Sequence, residues 1–348
     1  LAPATVQLHR AGMPMLWWLG DDAQGNVLVG GGNPAQVLSV KTTKATGGAE
    51  ATTIFTAEEL AVFAVLPRGK ELFIATSPEG QIYRLDAERK AQKYFKPEAK
   101  YIWALAAGAN GALYAATGSP ARLYRIDGQG TGAIIFECDE QHIRSLQLSN
   151  NGWLFLGSSG NGYVYRLRPD GSEVSVLYDA PMDEILQVLP ADDGTVYAAA
   201  AGQAGSAPQG AAGQPPEVIV VDDDEALQEG QNVTARPEDE ALPALLLTGG
   251  PKAKSALYRI SANGQVKDLW NARADRIHSA ILEKDGTLLI GTGDRGRLYR
   301  VTADGSKTLL VELEVPQFTA LSLDSNGNVL LASSNPGVVT LLRNNVRP

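Results

Sequence analysis

The chain has 348 residues, of which 44% are apolar and 20% are charged, and its formal net charge is −9 at pH 7. This composition is typical of a folded globular protein, and the acidic balance argues against a nucleic-acid partner, which would require a basic face. The single cysteine excludes an internal disulfide and a cysteine cluster for a metal.

A short pattern recurs along the chain: an Asp/Asn-Gly turn, a strand, a Gly-rich turn and a second strand containing Tyr-Arg. The clearest copy runs from Asp285 to Val301. A spacing of 41 residues separates three pairs of successive marker tyrosines, namely Tyr83 and Tyr124, Tyr124 and Tyr165, and Tyr258 and Tyr299. A period of this size filled with short strands is typical of a β-propeller.

Seven repeats follow one another in chain order, each with four predicted strands, here called A to D. They begin near Met15, Leu60, Tyr101, His142, Glu184, Arg276 and Gln317. The last repeat ends after three strands, while an additional strand, Thr5–His9, precedes the first repeat. Because an N-terminal strand in the vacant place removes two sheet edges, we predict a seven-bladed, all-β propeller closed in this way, forming a single domain over residues 1–348.

One segment breaks the repeat. Residues 202–254 form an insertion between strands B and C of blade five, with a Gly/Ala/Pro-rich beginning and an acidic centre that includes Asp222–Glu225. Loops of this length are uncommon unless they are functional or disordered. The topology predicts that the insertion emerges on the face of the propeller that carries the channel mouth, where we expect it to contribute to binding; a disordered tether is the alternative.

The segment Gly291-Thr292-Gly293-Asp294, with the Leu-Tyr-Arg that follows, resembles the bacterial propellers that include NHL-like, quinoprotein-like and streptogramin-lyase-like proteins. The Gly-His and Trp-Asp pairs of WD repeats are missing. The resemblance covers all seven repeats and implies a fold and an exported protein, but no reaction. Leu1 in the place of Met agrees with a processed export signal, so a periplasmic or extracellular location is expected.

The repeated Tyr-Arg pairs are interpreted as structural, because features found in most blades serve the ring. Tyrosine fills the space between blades, and arginine buries its stem while its head reaches an edge. The alternative is a ring of arginines around an anionic ligand.

Residues that differ between blades are better site candidates. Strand A is innermost in a propeller, so the side chains at its start gather at one mouth of the central channel. Aligning the repeats on the glycine of the turn between strands A and B gives two positions that flank an apolar residue, and in the second repeat these are Leu60 and Val62. That mouth is predicted to combine aromatic and titratable groups, which is typical of a ligand site. The predicted site residues are Trp17, Tyr101, Trp103, His142, Arg144, Glu184, Arg276, His278, Asp294, Arg295 and Gln317.

The sequence therefore favours a non-catalytic binding or scaffold propeller that binds a protein or a small ligand on the face that carries the channel mouth. No cofactor, metal, nucleic acid or membrane span is predicted. The alternative is a lyase or hydrolase in which His142 and His278 act as acid and base and Glu184 orients them or binds a metal. A third interpretation is a propeller module that assembles within a larger protein or complex.

Overall fold

The computed structural model describes residues 5–22, 24–42, 49–202 and 254–343. Twenty-eight β-strands account for the regular structure of these ranges, apart from one short 3-10 turn, Ala109–Gly111. The first fourteen strands are β1 (Thr5–Arg10), β2 (Met15–Asp21), β3 (Val27–Gly32), β4 (Gln36–Thr42), β5 (Ala49–Thr56), β6 (Ala61–Arg68), β7 (Glu71–Ser77), β8 (Gln81–Leu85), β9 (Ala91–Phe95), β10 (Tyr101–Ala107), β11 (Leu113–Gly118), β12 (Arg122–Ile126), β13 (Gly132–Glu137) and β14 (His142–Leu148). The remaining strands are β15 (Leu154–Ser159), β16 (Tyr163–Leu167), β17 (Ser175–Asp179), β18 (Glu184–Pro190), β19 (Val196–Ala201), β20 (Ser255–Ile260), β21 (Val266–Ala272), β22 (Ile277–Leu282), β23 (Leu288–Thr292), β24 (Arg297–Val301), β25 (Lys307–Glu312), β26 (Gln317–Leu323), β27 (Val329–Ser334) and β28 (Val338–Leu342).

These strands pair as successive antiparallel meanders of four. The first six meanders are β2–β5, β6–β9, β10–β13, β14–β17, β18–β21 and β22–β25. The seventh consists of β26, β27, β28 and β1. We number these meanders as blades one to seven. The first strand of each blade contacts the first strands of both neighbouring blades, and the seven contacts close into a ring. The fold is a β-propeller.

Closure of the ring depends on β1. This strand runs antiparallel to β28, with Thr5 opposite Leu342 and Arg10 opposite Val338. Leu8 of β1 is buried in the same cluster as Leu38 and Val339, so the strand contributes apolar surface as well as main-chain hydrogen bonds. The prediction that the N-terminal strand completes the last blade is confirmed.

Glycine determines the turns between the first and second strands of the blades. All seven of these turns carry a glycine with positive φ, between 62° and 84°, a conformation that glycine adopts without the steric cost of a side chain. The turns lie at one end of the blades. The connections that lead into the first strands, and the turns between second and third strands, lie at the other end, which we call the mouth face.

The marker tyrosines lie in the seams between blades. Each packs on an aromatic ring from the outer strand of the preceding blade, with ring centroids 4.9–5.5 Å apart. The five pairs are Phe55–Tyr83, Phe95–Tyr124, Phe136–Tyr165, Tyr178–Tyr258 and Trp270–Tyr299. Such a pair contributes about 0.5–1.5 kcal/mol beyond the burial of its area. The repeated tyrosine is therefore part of the contact that joins one blade to the next.

The arginines that follow these tyrosines bind partners near the blade ends opposite the mouth. Arg84 forms an ion pair with Glu71, the guanidinium carbon of Arg166 lies 4.4 Å from the centre of the Trp153 ring, and Arg300 lies 3.9 Å from Glu283. These contacts support the structural interpretation of the Tyr-Arg pairs.

The predicted insertion of blade five lies outside the described residues, apart from its flanks. Gly202 follows β19 and Lys254 precedes β20, and the amide of Gly202 donates a hydrogen bond to the carbonyl of Lys254. Both flanking residues lie in the connection between the second and third strands, at the mouth face.

Candidate ligand site at the channel mouth

Each of the seven first strands carries a β-bulge near the start of its pairing with the second strand. A bulge places one extra residue opposite the neighbouring strand and re-aims its side chain. The residues at the seven bulges are Trp17, Phe63, Trp103, Arg144, Leu186, His278 and Thr319.

All seven bulge residues line one cavity of about 440 Å³ inside the ring of first strands. They differ from blade to blade in size, charge and aromatic character, whereas the buried residues that precede them are all apolar. This volume is within the range of sites that hold small ligands or single side chains of a partner. We call these seven residues the bulge ring.

The structure corrects the predicted alignment of blade two. The sequence alignment placed Leu60 and Val62 at the flanking positions, but Val62 is fully buried and Phe63 occupies the bulge. The turn between β6 and β7 is one residue shorter than its counterparts, since Pro67 lies opposite Leu72 whereas Ala107 lies opposite Leu113. Its glycine, Gly69, also lies six residues after the bulge instead of eight, so an alignment on the turn glycine misplaced this blade and missed Phe63.

Aromatic side chains form a continuous surface across blades one to three. The ring centroids of Trp17 and Phe63 are 5.5 Å apart, those of Phe63 and Trp103 are 4.6 Å apart, and Tyr101 stacks on Trp103 at 5.2 Å. All four side chains are partly exposed. We call Trp17, Phe63, Trp103 and Tyr101 the aromatic crescent.

A charged pair continues the crescent into blades four and five. The guanidinium carbon of Arg144 lies 3.7 Å from the centre of the Trp103 ring, and Arg144 Nε lies 2.6 Å from Glu184 Oε1. A cation over an indole face and a carboxylate at its edge hold the guanidinium from two sides. Burial lowers the pKa of Arg144 from its ordinary value, and Glu184 acts in the opposite direction.

The two predicted histidines occupy different positions. His278 lies at a bulge and lines the channel, whereas His142 begins its strand and packs edge-on against Tyr101 and Trp103, at 5.6 and 5.3 Å. Burial lowers the pKa of both imidazoles, with a further contribution from the nearby Arg144 or Arg276. This shift favours the neutral form of both imidazoles.

The other predicted site residues lie on blades six and seven at the mouth face. Arg276 and Arg295 are exposed, and Asp294 forms an ion pair with Lys254 at 3.0 Å. Gln317 is partly exposed and begins β26, beside Gly293. The structure thus brings the predicted residues to one face, but places them on opposite sides of the channel.

Two further observations concern metal binding and membrane-spanning helices. Within the ranges that the structure describes, no group of three or more His, Cys, Asp and Glu side chains is arranged to hold a metal ion. In the same ranges, no helix has the length and apolar character needed to cross a bilayer.

Comparison with known proteins supports the fold. No protein-family model and no curated protein sequence match this chain. A streptogramin B lyase structure is similar with a TM-score of 0.70 and 11% identity over 98% of this chain and 97% of its own. YCF48 bound to D1 peptide is similar at 0.66, with 13% identity over 100% of this chain and 98% of that one.

A third similar structure is the extracellular domain of BT4673 from B. thetaiotaomicron, with a TM-score of 0.65 and 14% identity. The match covers 99% of this chain and 40% of that one. At such identities the similarity establishes a β-propeller fold, and these proteins include both a lyase and a structure with a bound peptide.

Proposed function

We propose that this protein is a non-catalytic β-propeller that binds a protein or peptide partner through the aromatic crescent on its mouth face. The observation that carries the proposal is the contrast between the seams and the mouth. Five seams repeat a tyrosine packed on an aromatic ring, whereas the seven positions of the bulge ring hold six different residue types. Side chains that are not needed to join the blades are available to bind a partner.

The chemistry of the crescent suits a polypeptide partner. Trp, Tyr and Arg are enriched among the residues that carry most of the binding free energy at protein interfaces. The crescent side chains are held by one another and by strands, so ordering them on binding costs little conformational entropy. The peptide-bound YCF48 structure is a precedent for such binding on a similar fold.

We further propose that the protein acts in a bacterial envelope or extracellular complex. The support is the resemblance of the repeat to exported bacterial propellers and the similarity to an extracellular bacterial domain.

The lyase alternative requires His142 and His278 to act on one substrate, with Glu184 as orienter. Among the described residues, Glu184 pairs with Arg144 and makes no hydrogen bond with either histidine. Their different positions, one on the rim and one in the channel, also favour binding over catalysis.

The test is selection of peptide ligands from a displayed random library, followed by calorimetry of each selected peptide. We expect Trp103→Ala to weaken binding by at least about tenfold, since loss of a central aromatic anchor costs about 2 kcal/mol or more. Trp153→Ala is the matched control, because Trp153 is a partly exposed tryptophan beside a turn at the opposite end of its blade.

Unchanged affinity in the Trp103 variant would contradict the proposed function. Turnover of a ligand that His142→Ala and His278→Ala abolish, while affinity is retained, would favour the lyase.

A further inference from the structure

Blade six carries an unusual set of arginines at the mouth face. Arg273 and Arg276 lie in the connection between β21 and β22, and Arg295 lies in the turn between β23 and β24. All three are exposed. Within the described ranges, none of their side chains has an ion-pair, hydrogen-bond or ring partner, although the protein as a whole carries a net charge of −9.

Two carboxylates next to these arginines in the chain have other partners, while a third nearby acid, Glu314, is exposed in the connection between β25 and β26. Asp275 is buried and binds Arg297 and the hydroxyl of Tyr299, and Asp294 pairs with Lys254. On the neighbouring blades, Glu184 pairs with Arg144. The mouth of blade six therefore presents three exposed arginines whose guanidinium groups have no ion-pair partner among the described residues.

The ring order places this charge opposite the aromatic surface. Blade six is separated from blade three by two blades on one side and from blade two by two blades on the other, so it faces Phe63 and Trp103 across the axis. Arg276 precedes His278, which lines the cavity, by two residues in the chain. The mouth thus has an apolar aromatic side and a cationic side.

On the basis of the proposed function, we infer that the partner segment is an acidic peptide that carries an apolar side chain. The apolar side chain packs on the aromatic crescent, and its Asp or Glu carboxylates bind Arg276 and Arg295. Exposed charges at the rim of an interface act mainly on the association rate and on its dependence on salt. The two arginines therefore determine which peptides bind, while the crescent supplies most of the affinity.

The experiment uses three pools of short synthetic peptides with a fixed central Trp-Leu and flanks drawn from Asp and Glu, from Asn and Gln, or from Lys and Arg. Binding to the full chain is measured at about 0.05 M and about 0.5 M salt. We expect the acidic pool to bind about tenfold more tightly than the neutral pool at low salt, and the difference to shrink at high salt.

The variant with Arg276→Gln and Arg295→Gln should lose this preference for acidic flanks. Arg125→Gln is the matched control, because Arg125 is an exposed arginine near the opposite end of its blade. Equal binding of the acidic and neutral pools, or a preference that survives in the double variant, would overturn the inference.

The experiment distinguishes failure of the proposed function from failure of the preference for acidic peptides. If all three pools bind equally and Trp103→Ala abolishes that binding, the proposed function stands and only the acidic preference is wrong. If no pool binds, both proposals are contradicted.

Discussion

Aromatic side chains occur both in the seams between blades and in the bulge ring. The seams repeat one arrangement, whereas the bulge ring varies from blade to blade. In the seams, one arrangement recurs five times, with a third-strand tyrosine packed on an aromatic ring of the preceding blade. At the bulges, the strand geometry recurs in all seven blades while the side chains differ. Repetition therefore marks the residues that hold the ring, and variation marks the candidates for recognition.

The largest effect is expected from removing β1, the strand that completes blade seven. Deletion of residues 1–10 removes β1, exposes the edge of β28 and uncovers the cluster around Leu8. Loss of the buried leucine alone costs about 1.5–3 kcal/mol, and the lost main-chain hydrogen bonds add to it. Chemical denaturation should show a clear decrease in the free energy of unfolding; an unchanged value would contradict closure by this strand.

A seam tyrosine should be the next most sensitive position. Tyr258 is 1% exposed and packs on Tyr178, so Tyr258→Ala should lower the free energy of unfolding by about 3–5 kcal/mol. Tyr258→Phe keeps the ring and is expected to cost about 1 kcal/mol. A loss of similar size in both variants would show that the hydroxyl, and not the aromatic contact, stabilises the seam.

A substitution in the bulge ring should affect binding more than it affects stability. Trp103 is partly exposed, so Trp103→Ala should destabilise the fold by less than Tyr258→Ala, or under about 3 kcal/mol, while weakening the selected peptides. Thermal denaturation and calorimetry on the same samples separate the two effects. If Trp103→Ala destabilised the fold as much as Tyr258→Ala, the distinction between seam and mouth would be lost.

The smallest effect concerns pH. Burial lowers the pKa of His278 in the folded protein, so between its ordinary pKa of about 6.5 and the lower folded value the unfolded chain binds the proton more readily. Stability therefore falls as the pH falls through this window. His278→Asn should make the decline shallower than in the parent, as measured by the denaturation midpoint against pH; an identical slope would indicate that this imidazole is protonated alike in both states.

The fold was predictable because its signals are local and repeated. The 41-residue spacing of the tyrosines, the turn glycines and the vacant fourth strand of the last repeat together predicted the propeller and its closure. The seam pairs were only partly predictable: the tyrosines are visible in the sequence, but their partners, such as Phe95 and Trp270, lie in outer strands of variable length.

The candidate site was less predictable. The sequence indicated most of the residues that gather at the mouth, but the shorter turn between β6 and β7, with its glycine closer to the bulge, hid Phe63. Anchoring the repeats on the small residues near the end of the second strand, such as Thr76 and Thr117, would have found it, since these lie opposite Val62 and Ile102. The pairing of Glu184 with Arg144 instead of with a histidine depends on rotamers and distances that spacing does not encode.

Hydrogen exchange of the protein with and without a selected peptide tests the central claim most directly. The account predicts that protection upon binding is confined to the mouth face, at the starts of β2, β6, β10 and β14, which carry the aromatic crescent and Arg144. Protection at the turns of the opposite face or along the outer strands, with the mouth unchanged, would contradict it.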